Sequence, residues 1–321
     1  MSSAEVPPVS AGSQRVLVTG GSGFVGRAVV RALLARGVAV TVVDTRAFPG
    51  DRARVTSVVG DLTDAAIRDA AVAEGTTGIV HLAAITSVLR SVEQPAQTFA
   101  SNVLVTGELL ELARTRGVSS FVFASTNAVV GDVGTATITE GIPLRPLTPY
   151  GATKAACEML LSGYAGSYGI ATSALRFTNI YGPGMEAKDS FVPRMMRAAR
   201  SGGGVQVYGD GTQRRDLVYL DDVVAAVLAA IEQRYTGTTI IGAGRSISVL
   251  DMIEAAREAA GAELPIEHVP AKAGEMPAVI VDISKARADL GYKPAVSLTE
   301  GMAAVWADFL ATSGPGSAPA R

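Results

Sequence analysis

Residues 15–26, RVLVTGGSGFVG, put a five-residue apolar run directly before a glycine-rich turn and a helical pattern. RVLVT reads as a buried strand, and FVGRAVVRALLARG (24–37) as an amphipathic helix that stops at Gly37. A strand that passes through glycines straight into a helix opens a βαβ unit, and successive units of that kind build a parallel sheet. VAVTVVD (38–44), VTSVVGD (55–61), GIVHLAA (78–84) and SSFVFAS (119–125) continue the alternation as further strands. Their continuous apolar character fits strands covered on both faces. The fold class expected is therefore α/β: a doubly wound parallel sheet with right-handed crossovers.

Beyond about residue 177 the alternation loosens. A Gly/Pro turn (YGPG, 181–184) precedes helices expected at 191–201, 221–233 and 248–260, with glycine and proline between them. The expected organisation is a flexible arm over 1–14, a sheet domain over 15–177, a smaller interleaved lobe over 178–312 and a flexible tail over 313–321. A net charge of −2 argues against a general nucleic-acid surface. No apolar run reaches the length of a membrane span, and MSSAEVPPVSAGSQ lacks a signal-peptide pattern, so a cytoplasmic protein is expected. The single cysteine, Cys157, excludes an internal disulfide and reads as a buried thiol.

Gly21, Gly23 and Gly26 satisfy G-x-G-x-x-G, and Gly20, Gly23 and Gly26 satisfy G-x-x-G-x-x-G. Such glycines let the backbone approach a pyrophosphate seated on the helix N-terminus, where Phe24 and Val25 begin the first turn. Asp44, 18 residues past Gly26, closes the second strand, where a carboxylate accepts from the ribose hydroxyls of NAD and repels the 2′-phosphate of NADP. Arg46 pulls the other way, and NAD is the cofactor expected of this Rossmann-type motif. Asp61 and Leu62 close the third strand on the adenine side, and Leu82, Ala83 and Ala84 follow the fourth on the pyrophosphate and nicotinamide path. His81 reads as a packed residue. His268 has no partner at metal-ligand spacing, and no metal is expected.

PYGATK (149–154) supplies the chemistry. Tyr150 and Lys154 lie four apart, on one face of a helix. An ammonium beside a phenol favours the phenolate, so this pair reads as a general base tuned by a cation.

TGGSGFVG, GDL (60–62), HLAA, NVLVTGELLELAR (102–114), FAST (123–126), PYGATK, LRFTNIYGPG (175–184), RRDLVYLDDV (214–223) and AGEMPAVIVDISKARADLGYKP (273–294) stand in one order. Over about residues 15–312 the chain resembles the extended short-chain dehydrogenase/reductase family, specifically its nucleotide-sugar 4-epimerases. The resemblance implies a NAD-binding domain, with Asn102 added to the cofactor set, and a nucleotide-sugar-binding lobe. It implies that Tyr150 takes the proton of the sugar 4-hydroxyl while hydride leaves C4 for NAD, and that hydride returns to the opposite face of the 4-keto sugar. Lys154 would hold the nicotinamide ribose and lower the tyrosine's pKa, and Thr126 would hydrogen-bond the reacting oxygen. Asn179 and Arg215 would contact the diphosphate, and Ser190, Phe191 and Tyr208 would line the nucleotide pocket. A homodimer is implied, paired through the helix around 93–115 and the helix after Tyr150.

The chain departs from the family pattern in places. VVG (129–131) replaces the common VYG, Lys272 stands near where an arginine usually contacts phosphate, and Val279 replaces an aromatic beside the sugar. Related 4,6-dehydratases carry Asp-Glu directly after the catalytic threonine. Here Asn127-Ala128 follows Thr126, which favours epimerisation. Thr178 stands where galactose epimerases carry a bulky aromatic, and its small hydroxyl leaves room and a donor for a larger or charged C6 group. Arg194 would pair with a carboxylate there, or else serve only the surface of its helix. The expected substrate is UDP-glucuronate, with UDP-glucose as the alternative. A nucleotide-sugar dehydrogenase or reductase, or a non-catalytic NAD-sensing scaffold, would share much of the same pattern.

Overall fold

The computed structural model describes residues 14–271 and 277–312. The chain runs through β1 (Arg15–Thr19), α1 (Phe24–Ala35), β2 (Ala39–Asp44), β3 (Val55–Val59), α2 (Ala65–Ala71) and β4 (Gly78–His81). Next come α3 (Val88–Glu93), α4 (Pro95–Phe99), α5 (Val105–Thr115), β5 (Ser120–Thr126), β6 (Thr137–Ile138), α6 (Pro149–Tyr168) and β7 (Ala171–Phe177). The remainder comprises β8 (Asn179–Tyr181), α7 (Phe191–Ser201), β9 (Val205–Tyr208), β10 (Arg214–Tyr219), α8 (Leu220–Glu232) and β11 (Gly237–Ile241). It ends with β12 (Ser246–Ser248), α9 (Val249–Ala260), β13 (Ile266–Val269), β14 (Ile280–Val281), α10 (Ser284–Leu290) and α11 (Leu298–Ala311).

These elements form two compact units, each assembled from separated stretches of chain. The first takes the described residues of Met1–Ala128, Leu147–Leu175 and Val227–Thr238. Of the seven-stranded sheet ordered β11-β7-β5-β4-β1-β2-β3, it carries β3, β2, β1, β4 and β5 whole and most of β7. Parallel ladders join β3, β2, β1, β4 and β5, with Leu17 opposite Thr41 on one side and Ile79 on the other. The strand order reverses between β1 and β4, and the C-terminal edge of a doubly wound sheet binds ligands at such a point. Leu17, Ile79, Leu109, Leu110, Phe121 and Phe123 pack the core, each at most 1% exposed.

The helix expected around 93–115 runs from Pro95 to Thr115 with a π-helical turn inside it. Gln94 adopts φ −132° and ψ 61° because Pro95 disfavours helical backbone in the residue before it, so α3 stops and α4 restarts with proline in its first turn. A π-helical turn over Ala100–Leu104 then joins α4 to α5. β3 and β4 end at Val59 and His81, before the expected 61 and 84, although the Gly60 and Leu82 amides still donate to the Asp44 and Thr19 carbonyls of the neighbouring strands. α6 starts one residue before Tyr150, capped by the Thr148 hydroxyl and opened by Pro149, and ends at Gly169 with φ +69°.

The second unit takes the described residues of Val129–Pro146, Arg176–Ala226 and Thr239–Arg321. It holds a three-stranded sheet, β12-β10-β8, and the pairs β13-β9 and β14-β6. α7, α9 and α11 pack together, and Tyr181 meets Tyr219 edge-on at 5.5 Å between ring centres. Among the described residues no helix is long and apolar enough to cross a membrane, and no group of three or more His, Cys, Asp or Glu side chains gathers for a metal.

Leu109→Ala, emptying a fully buried site, lowers stability by about 2–5 kcal/mol. Leu310→Ala, at 53% exposure, changes it by less than about 0.5 kcal/mol. Urea unfolding of both variants checks the contrast.

Candidate active site

The glycine turn after β1 is held by its own close packing. Gly20 has φ +67°, and a Cβ there would stand 2.9 Å from the Ala83 amide nitrogen. A Cβ on Gly26 would stand 2.7 Å from the Gly21 Cα, so α1 leaves the turn along a path that only glycine permits. Gly23 is the N-cap of α1 and no side chain caps it, whereas Thr148, Ser248 and Ser297 cap α6, α9 and α11. An uncapped helix start beside a glycine turn offers an anion the positive end of the helix dipole.

Asp44, at the end of β2, accepts from the Ser22 amide at 3.1 Å through Oδ2 and from the Arg46 amide at 3.1 Å through Oδ1. Each carboxylate oxygen has two lone pairs, so Oδ2 keeps one for a ribose hydroxyl. The Arg46 side chain is exposed. Asp61 is exposed and accepts from the Thr63 amide at 2.9 Å, while Leu62 is 7% exposed. Glycine turn, bare helix start and carboxylate together fit a dinucleotide.

Thr19 and His81 fix the other wall of this crevice, and the sequence reading had given His81 a packing role only. The Thr19 hydroxyl accepts from the amides of Leu82 and Ala83, both at 3.1 Å, and lies 2.7 Å from His81 Nδ1. His81 Nε2 lies 3.0 Å from Thr106 Oγ1, whose own hydrogen goes to the Asn102 carbonyl at 2.5 Å. That network assigns the proton to Nε2, with Nδ1 accepting from Thr19. Burial, with the Lys154 charge second, holds the imidazole down at about 3.

Asn102, buried in the π-helical turn, uses its amide within the fold. It accepts from the Ile85 amide at 2.9 Å and donates to the Ile85 carbonyl and to Thr153 Oγ1, both at 3.1 Å. It thereby ties the stretch after Ala84 to α6.

Thr126, Tyr150 and Lys154 gather where β5 ends against α6. The Tyr150 hydroxyl is hydrogen-bonded to Thr126, whose Oγ1 accepts from the Ala128 amide at 3.2 Å. Lys154 is 2% exposed, donates to the Ala124 carbonyl at 2.8 Å and sits 4.4 Å from the centre of the Phe123 ring. Burial lowers its ammonium to about 8. The tyrosine departs from the sequence expectation. Burial pushes its hydroxyl above the usual value, and the bond to Thr126 brings it only part of the way back. The ammonium is committed to β5 instead of the phenol, so desolvation wins. Asn127 is 8% exposed, and neither its amide oxygen nor its nitrogen has a hydrogen-bond partner among the described residues.

In the second unit, the Thr178 hydroxyl donates to Asp216 Oδ1 at 2.8 Å, and the Asn179 amide donates to the Asp216 carbonyl at 3.2 Å. Asp216 is fully buried, with further bonds from the amides of Ala243 (2.8 Å) and Arg245 (3.2 Å). Desolvation raises its carboxyl above the usual range. Thr178 therefore does not offer the free donor expected of it; it can only accept. Ser190 is the exposed N-cap of α7 and Phe191 its first residue. Arg194 is exposed and held by both oxygens of Asp189, at 2.6 and 2.8 Å. Arg215 donates to the Arg214 carbonyl at 2.8 Å. Lys272 lies outside the described residues.

Sequence reasoning missed Thr19, Ser125, Glu158 and Asp216. Polar residues inside otherwise apolar strands, and an acid one turn past Lys154, were the available signals.

The model of the NAD dependent epimerase/dehydratase family matches residues 16–243. A dTDP-glucose 4,6-dehydratase of Streptomyces griseus is 34% identical over 90% of this chain and 92% of its own. The UDP-glucose 4-epimerase of Thermotoga maritima, solved with UDP-glucose, is 32% identical with a TM-score of 0.87, covering 93% of this chain and 99% of its own. MoeE5, solved with UDP-glucuronic acid and NAD, is 33% identical with a TM-score of 0.86 over the same shares.

His81 is neutral and buried with a value below the usual 6.5, so protonation favours the unfolded chain as pH falls below 6.5. Wild type is expected to lose about 1.4 kcal/mol per pH unit below that point relative to His81→Gln. Urea unfolding at pH 6.5 and 5 measures it; parallel pH dependences would refute the assignment.

Proposed function

Because the chain belongs to the NAD dependent epimerase/dehydratase family, we propose that it is a UDP-sugar 4-epimerase that interconverts UDP-glucuronate and UDP-galacturonate. The observation that carries this reading is Thr126, Tyr150 and Lys154 gathered at the end of β5 with the neutral pair Asn127-Ala128 following. A 4,6-elimination needs a second acid and base beside the oxidised carbon, and the two positions that carry them in the dehydratases are filled here by an amide and a methyl group.

The glycine turn at Gly20, Gly23 and Gly26, with the α1 start at Phe24 and Val25, holds the NAD pyrophosphate. Asp44 takes the ribose. Asp61 and Leu62 flank the adenine, and Leu82, Ala83 and Ala84, set by Thr19 and Asn102, line the nicotinamide side. The chemistry NAD supplies when bound is reversible storage of the C4 hydride. Tyr150 removes the proton of the sugar 4-hydroxyl and returns it after inversion, and Thr126 holds the reacting oxygen in hydrogen-bond reach. Lys154, one helical turn from Tyr150, would hold the nicotinamide ribose and would lower the tyrosine only once its ammonium turns from the Ala124 carbonyl. Asn179, Ser190, Phe191, Tyr208, Arg215 and Lys272 take the UDP moiety.

The C6 carboxylate of glucuronate is assigned to Arg194. The Arg194–Asp189 pair is 51% and 76% exposed, and pairs so open contribute little, so the guanidinium exchanges partners at small cost. MoeE5, solved with UDP-glucuronic acid and also with UDP-glucose, supports the pair of substrates without singling out Arg194. UDP-glucose is the second reading, favoured by the Thermotoga enzyme. Leu89, Val92, Phe99, Leu104 and Met159, each 48% exposed or more on α3, α4, the π-helical turn and α6, support a homodimer through these helices.

NMR of purified protein with UDP-glucuronate and no added NAD is expected to show the C4 epimer, and Tyr150→Phe to slow it at least 10²-fold (an estimate from the usual size of acid–base contributions) with the fold intact. Arg194→Ala is expected to raise KM for UDP-glucuronate about tenfold and leave UDP-glucose unchanged. NADH accumulating without epimer would make the protein a dehydrogenase. A 4-keto-6-deoxy product would make it a dehydratase.

A further inference from the structure

Glu158 lies on α6 one turn beyond Lys154, and the two side chains are 3% and 2% exposed. Residues four apart share a helix face, so a buried carboxylate neighbours a buried ammonium. Both reach the same strand. Ser125 Oγ donates to Glu158 Oε1 at 2.5 Å, and Lys154 Nζ donates to the Ala124 carbonyl at 2.8 Å. Ala124 and Ser125 immediately precede Thr126 on β5.

We propose that Glu158 is a positioning residue of the active site: held by Ser125, it keeps Lys154 charged and fixes the strand end that presents Thr126 to Tyr150. The roles of Lys154, Thr126 and Tyr150 rest on the 4-epimerase reading. An isolated buried ammonium is costly and tends to shed its proton. The groups facing Lys154 are Tyr150 and Cys157 on its own helix, His81 from β4, and the Phe123 ring and Ala124 carbonyl from β5. His81 is neutral, and burial holds the Cys157 thiol above its usual value and so protonated at working pH. Burial lowers the ammonium to about 8, Cys157 and then Glu158 raise it, and with the thiol protonated Glu158 is the anion of the two. The same acid, through the hydroxyl of Ser125, couples α6 to β5 at the residue before Thr126.

The test reads Lys154 directly, by NMR of ¹³C-labelled lysine side chains in the purified protein, with the signal assigned by its loss in Lys154→Met. Glu158→Gln, nearly isosteric, is expected to lower the Lys154 midpoint by about one pH unit, a tenfold change in its proton affinity. The alkaline limb of kcat for 4-epimerisation should descend by the same amount. Glu158→Asp, which keeps the charge, should restore both to within a few tenths of a unit. If Glu158→Gln does not fold, Ser125→Ala reads the same midpoint with the carboxylate retained but released from β5, and a downward shift is again expected. A Lys154 midpoint unchanged in these variants overturns the proposal, as does an alkaline limb that moves without the lysine signal. The NMR arm needs no substrate, so a protein inert toward UDP-sugars would defeat the 4-epimerase reading and still leave the role of Glu158 decided.

Discussion

Burying the Lys154 ammonium is the constraint on which the arrangement of α6 and β5 depends. A cation withdrawn from water is tolerated only with hydrogen-bond acceptors and compensating charge around it. The Ala124 carbonyl, the face of Phe123 and the Glu158 carboxylate meet that need from two elements. Sliding α6 by one residue along β5 would strip the ammonium of its acceptor, so the registry of helix against strand is fixed tightly. Tyr150, one turn earlier on the helix, and Thr126, two residues past Ala124 on the strand, are then brought together as a consequence.

A second constraint acts at the other end of the same sheet edge. The Thr19 hydroxyl takes two successive amides just past the end of β4, that of Ala83 and that of Leu82, which it shares with the Thr19 carbonyl. His81 orients that hydroxyl, and Thr106 orients His81. The crevice between β1 and β4 is thus held open by polar contacts running back to α5 and the π-helical turn. Chains of this type are sound only when every member is satisfied, and the single tautomer that satisfies this one is uncharged.

The sheet and the glycine turn were legible in the sequence because their signals are local. A β-branched run, a glycine spacing and an acid at the next strand end lie within 30 residues, and Asp44 does end β2. The α7 helix matches its expected 191–201 bounds for the same reason: Gly202 stops it with φ +68°. The start of α4 is equally local, since Pro95 keeps Gln94 out of helical backbone. What stayed hidden depends on contacts between distant stretches. The bond from Thr178 to Asp216 spans 38 positions, and that from Ser125 to Glu158 spans 33. The direction of the Tyr150 shift was missed because helix spacing reports which residues share a face, while burial decides which of them meet.

Thr178 shows how selectivity and architecture are tied in the second unit. Its hydroxyl is one of three groups that bind the carboxylate of a fully buried aspartate, alongside the amides of Ala243 and Arg245. Exchanging it for the bulky aromatic of other family members would do more than narrow a pocket, because it would leave Asp216 short of a donor in a dry interior. On the proposed role of Thr178 in sugar choice, a change of preference at this position would run through a destabilised intermediate unless a compensating change near Asp216 came first.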